Sequence, residues 1–140
     1  MANSNAPKGL IPVAYLDGSP YGGAFNIYHV PAAYATALYL GLPLIATGAS
    51  DANGIPTVQI ATAGATNYTI GPMVGIVDGG EPVVGVTRDM PLYHPASTLQ
   101  YILVADSPDL VFEAQEDSVG GSIAMATAGM KNVDLVAGAG

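Results

Sequence analysis

Cysteine and tryptophan are absent from the chain. Without thiols, disulfide frameworks and thiolate metal sites are excluded. Charge is scarce as well: Lys, Arg, Asp and Glu make up 10% of the 140 residues, against about 25% in ordinary soluble domains. The basic residues, Lys8, Arg88 and Lys131, lie far apart. With a net charge of −8, the chain lacks the clustered cations that nucleic acid or an anionic membrane surface requires. Catalytic signatures are missing too. There is no G-x-S-x-G elbow, no Walker loop, no HxxxH or HxH pair and no EF-hand spacing.

An unbroken membrane-length run is also lacking. Residues 30–49 are mostly apolar and span about the twenty residues a crossing helix needs. Pro31, Gly41 and Pro43 interrupt them, and no flanking Lys or Arg would orient them. The expectation is a buried loop and strand, or an interface segment, and no membrane partner. Residues 1–9 lack the apolar stretch of a signal peptide. Residues 1–10 read as a flexible arm and residues 11–140 as one domain, long enough to bury roughly 68% of its unfolded surface.

What the chain does have is punctuation: 18 Gly and 11 Pro, which leave little room for long helices. Between the breaks lie short runs rich in Val, Ile, Thr and Tyr, residues that suit a pleated, half-buried surface. Strands are predicted over 11–16, 24–30, 38–46, 57–63, 67–70, 73–77, 83–87, 99–105, 110–115 and 133–136. Within Thr57-Val58-Gln59-Ile60-Ala61, Val58 and Ile60 share one face and Thr57 and Gln59 the other. Asp78-Gly79-Gly80 predicts a hairpin between 73–77 and 83–87. Asp17-Gly18-Ser19-Pro20, Asp51-Ala52-Asn53-Gly54 and Asp106-Ser107-Pro108-Asp109 read as further turns. Residues 31–40, rich in Ala and Leu after Pro31, fit either a helix or a strand ending at Gly41 and Pro43. Many short strands with regular turn signals and no βαβ alternation predict an all-β fold. The expected form is an antiparallel β-sandwich or jelly roll with short or no helices.

The chemistry-bearing residues are few. His29 and His94 stand apart in sequence and read as hydrogen-bonded structural histidines rather than metal ligands. Asp106, Asp109, Glu113, Glu116 and Asp117 gather in one stretch. On a regular strand Glu113 points away from Glu116, so the two do not form a facing acid/base pair. Asp106, Asp109 or Asp117 could ligate calcium with their oxygens, the alternative being a solvated acidic edge that discourages sheet pairing. Asn67-Tyr68-Thr69 matches a glycosylation acceptor, a tripeptide common by chance. No catalytic, cofactor or metal residue is assigned, and the chain reads as non-enzymatic. The eight tyrosines fit protein interfaces, where a ring is buried and its hydroxyl stays wet, and equally the aromatic part of sheet faces.

Charge is also unevenly placed. Residues 18–50 and 52–77 hold none, while acid gathers over 106–117. A free monomer is normally kept soluble by a charged surface, so one part of this chain is expected to lie against partners and another to face water. The candidate contact residues are Leu10 at the end of the arm and Tyr21, Tyr28, Tyr34, Tyr39 and Leu42 in the uncharged region.

The stretch running from Tyr93-His94-Pro95-Ala96-Ser97 through Tyr101-Ile102-Leu103-Val104-Ala105-Asp106-Ser107-Pro108-Asp109 to Phe112-Glu113-Ala114-Gln115-Glu116-Asp117 resembles small virion proteins of short-tailed phages, the capsid cement or decoration proteins. The likeness covers residues 92–122, and the proteins it resembles continue past the position of Gly140. The resemblance implies a β-sandwich or jelly roll on the outer surface of the capsid. It would bridge neighbouring major capsid protein subunits and associate with itself as a dimer or other homo-oligomer. A carbohydrate-binding or adhesin-like β-sandwich is the competing expectation, disfavoured by the lack of Trp.

Overall fold

A computed structural model gives the fold, and the residues it describes are 8–62, 68–77 and 92–115. Among them are nine strands and no helix. They are β1 (Ile11–Tyr15), β2 (Asn26–Val30), β3 (Leu38–Tyr39), β4 (Pro43–Ser50), β5 (Pro56–Ile60), β6 (Gly71–Val77), β7 (Tyr93–His94), β8 (Gln100–Val104) and β9 (Leu110–Glu113). The expected all-β fold is present. β2, β5, β4, β6 and β8 close into a barrel in that order, and β1–β9 and β3–β7 form two separate two-stranded ribbons. These strands do not by themselves trace the order of a jelly roll. The expected strands over 83–87 and 133–136, the hairpin turn Asp78-Gly79-Gly80, and Glu116 and Asp117 lie outside the described residues.

The core follows from alternation. Val30, Leu44, Val58, Met73, Ile76, Ile102 and Val104, drawn from all five barrel strands, join Leu38 in one cluster, each at most 1% exposed. On β8, Ile102 and Val104 enter this cluster while Tyr101 and Leu103 join a second one with Val77, as side chains on opposite faces must. That strand is buried on both faces, which is why it reads as an unbroken apolar run. On β6, Met73 and Ile76 reach the same cluster although three residues apart. A register shift between Met73 and Gly75 supplies the extra residue, as a bulge does.

Four of the five barrel seams are antiparallel. The fifth, β2 against β5, is parallel and rests on one residue pair, His29 with Thr57. Side chains complete it. His29 Nδ1 lies 3.0 Å from Thr57 Oγ1, and the Ile60 amide donates to the Tyr34 hydroxyl at 3.1 Å.

The uncharged region departs from its expected form. Residues 31–40 are neither helix nor continuous strand. The Tyr34 amide donates back to the Pro31 carbonyl at 2.9 Å, making a turn, and only Leu38–Tyr39 is extended. The strand predicted over 38–46 is split into β3 and β4 at Gly41, whose φ of +86° is left-handed, a conformation glycine adopts without penalty. The turn at Asp51-Ala52-Asn53-Gly54 is where the sequence puts it. Asp51 Oδ1 accepts the Asn53 and Ile55 amides at 2.9 and 2.8 Å, an Asx turn joining β4 to β5. The turn over 106–109 also forms, closed by the Leu110 amide on the Ser107 carbonyl at 3.2 Å. It carries the chain from the barrel to the β1–β9 ribbon, so β8 and β9 are not partners.

Candidate functional site

Tyr93-His94 reads as part of a turn in the sequence, yet it forms β7 and pairs with β3, placing Leu38 opposite His94 and Tyr39 opposite Tyr93. Alternation then sorts the ribbon into two faces. Leu38 and His94 are fully buried. Tyr39 and Tyr93 point outward, 40% and 44% exposed, with ring centroids 5.5 Å apart and planes tilted by 20°. Such an offset stack holds both rings in place. The neighbouring residues Leu40 and Leu92 are 44% and 79% exposed. No charged residue occurs in 18–50 or 92–105, so the two strands of this ribbon bring no charge to the face, and the charged residue whose backbone lies beside Gly41 is Lys8.

The second ribbon has a different character. β9 pairs with β1 so that Glu113 lies opposite Ile11, and the Leu16 amide donates to the Asp109 carbonyl at 2.8 Å. Acidic Asp17, Asp109 and Glu113 therefore share this ribbon and its end with exposed Ile11, Val13, Leu16 and Val111. The uneven charge of the sequence is thus divided between two surface ribbons.

Three acids are committed to the fold itself. Asp17 accepts the Ser19 hydroxyl at 2.5 Å and the Ser19 amide at 2.8 Å, which lower its pKa. The Asp51 carboxyl is also held below its usual range, first by the Tyr101 hydroxyl donating at 2.6 Å and then by the Ile55 and Asn53 amides. Asp106 accepts from Asn26 Nδ2 at 3.0 and 2.9 Å and from the Tyr28 hydroxyl at 2.7 Å. Burial, the bond to Asp106 and the charge of Asp106 push the Tyr28 phenol up to about 12. Among the described residues, no group of three His, Asp or Glu is placed to hold a metal ion, and no helix is long and apolar enough to cross a membrane. Asp106, a calcium candidate by sequence, accepts from Asn26 and Tyr28 within the fold.

The six contact candidates separate sharply. Leu10 is 8% exposed, its amide bonded to the Gly41 carbonyl at 2.8 Å, so the end of the expected arm lies on the body of the chain. Tyr28, Tyr34 and Leu42 are half-buried against the main core. Tyr21 is half-buried, donates to the Ala24 carbonyl at 2.7 Å and lies 6.3 Å from the Tyr15 ring. Only Tyr39 of the six stands on an exposed apolar face. Its partner Tyr93 was not among the candidates, and the clue was Leu92-Tyr93-His94: an alternating pattern too short to stand out from a turn. Both histidines are buried and hydrogen-bonded, His29 to Thr57 and His94 through Nε2 to the Thr98 carbonyl at 2.8 Å. No family model, curated protein or solved structure matches the chain.

Proposed function

We propose that this chain is a non-enzymatic structural virion protein. It binds the outer surface of a phage capsid and cements neighbouring major capsid protein subunits. One observation carries the reading: the stacked, outward-facing Tyr39–Tyr93 pair flanked by exposed Leu40 and Leu92 on an uncharged ribbon. Aromatic and aliphatic side chains without charge are what the centre of a protein interface contains. Pre-stacked rings lose little freedom on docking, so more of the contact energy remains as affinity. The acidic β1–β9 ribbon supplies charged, hydrated surface of the kind such a protein needs away from its contacts.

A cement protein stabilises a shell by binding the assembled form in preference to free subunits, so its affinity becomes shell stability by linkage. Many copies act on one particle, and each contributes only modestly. Self-association of the free protein as a dimer or larger homo-oligomer belongs to the same proposal. The test is co-sedimentation of purified protein with bare expanded phage heads. Saturable binding at many copies per particle is expected. The Tyr39→Ser/Tyr93→Ser variant is expected to bind about thirtyfold more weakly, the equivalent of one interface hot spot of about 2 kcal/mol. Absence of wild-type binding at any salt concentration rejects the cement role, and unaltered binding by the double variant rejects the ribbon as its contact.

A further inference from the structure

At one end of the barrel β2 and β8 part company. Residues Ala24, Phe25 and Asn26 lead into β2, and Asp106, Ser107 and Pro108 lead away from β8, and together they line an open depression of about 450 Å³. We propose that this depression is a subsite for a neutral sugar, a single pyranose ring of a surface glycan.

The chemistry of the lining selects that class. Phe25 is 39% exposed at the rim, and an aromatic ring there is the group that packs against the C–H side of a pyranose. Asn26 and Asp106 are fixed against each other by the amide–carboxylate contacts at 3.0 and 2.9 Å, and Tyr28 holds Asp106 from the barrel interior. A carboxylate has about four lone-pair sites. Three contacts reach Asp106, two of them on Oδ2, so Oδ1 retains capacity for a ligand hydroxyl. The Asn26 side-chain carbonyl and the Ser107 hydroxyl make no hydrogen bond among the described residues, leaving one further acceptor and a donor/acceptor. Planar polar groups held rigid beside an aromatic ring suit a ligand that is apolar on one face and rich in hydroxyls at its edge. Lys8 is the sole cation among the described residues, and the net charge is −8, so acidic sugars are repelled. The opening is wide, and affinity for one ring is correspondingly low. The site is independent of the Tyr39–Tyr93 ribbon and of the cement proposal.

The experiment is an amide chemical-shift titration of the isotope-labelled full chain with the methyl glycosides of mannose, glucose, galactose and N-acetylglucosamine. Each is taken to about 50 mM, several times the Kd of order 10 mM expected of so open a site; glucuronic acid is the anionic control. Saturable shifts centred on Phe25, Asn26 and Ser107 with at least one neutral glycoside, and none with glucuronate, are expected. Phe25→Ala weakens that binding at least fivefold. Ser107→Ala, which removes a hydroxyl with no hydrogen-bond partner among the described residues, weakens it about threefold while leaving the remaining spectrum unchanged. No saturable shift with any neutral glycoside overturns the proposal, as do shifts that persist unaltered in both variants.

Discussion

Gly71 has a φ of +148° at the start of β6, and a Cβ built there would run into the carbonyl of Ala105. Any other residue meets both an unfavourable backbone conformation and a collision with main chain that cannot swing aside. Gly71→Ala is expected to cost on the order of 3 kcal/mol in urea unfolding, against a few tenths for a substitution at Gly22, where a Cβ meets nothing. His94 makes a different prediction. Its imidazole is fully buried, Nε2 is used by Thr98, and Nδ1 has no hydrogen-bond partner among the described residues. Burial lowers its pKa from 6.5, so the unfolded chain takes up a proton at a pH where the folded chain does not. Stability is therefore undiminished above pH 6.5 and falls as the pH drops below that value toward the folded pKa. Melting curves between about pH 7.5 and 5 register the decline, and a His94→Gln variant shows a flatter profile over that window. The carboxylates act lower down. Asp17 and Asp51 have folded pKa values below 3.8. What they add to stability is complete above that value and lost as the pH falls through the folded pKa.

At the scale of elements, the strands with a continuous or alternating apolar pattern were legible, and so was the turn made by Asp51-Ala52-Asn53-Gly54. The alternation at 57–61 was legible: Val58 and Ile60 both pack on the main core, while Thr57, on the other face, is buried as well because it sits at the parallel seam against His29. β3 falls within the strand predicted over 38–46, but β7 and the pairing of the two were not legible. They hold together through a cross-strand tyrosine stack between segments more than fifty residues apart, and no local pattern encodes that pairing. Pairing across 106–109 is equally non-local: a turn signal states that the chain bends, and not which sheet it bends into. The seam between β2 and β5 gives the element-scale prediction. Tyr34→Phe removes the acceptor for the Ile60 amide and is expected to cost about 1 kcal/mol. Hydrogen exchange of Ile60 should then accelerate well beyond that of Ile102 in β8, which is bonded on both sides.

At the scale of the molecule, composition predicted an uneven placement of charge, and among the described residues the β3–β7 ribbon carries none while Asp109 and Glu113 lie at or in the β1–β9 ribbon. It did not foresee which tyrosines face outward, since that depends on partners distant in sequence. Five of the six contact candidates are used within the chain itself, packed or hydrogen-bonded. The proposed contact face, whose two strands carry no charge, also sets an ionic signature. Capsid binding through Tyr39 and Tyr93 is expected to hold or strengthen between about 50 mM and 1 M salt, where a contact between exposed charges would weaken. Co-sedimentation across that range distinguishes the two.

The barrel, finally, is a hoop with a clasp. Four of its seams are sewn by antiparallel register, and one is fastened by a single residue pair and two side-chain bonds. A hoop of this kind does not share an outward load equally around its circumference. If the protein cements a shell as proposed, opening under load is expected first at the parallel seam between β2 and β5, which has one residue pair in register.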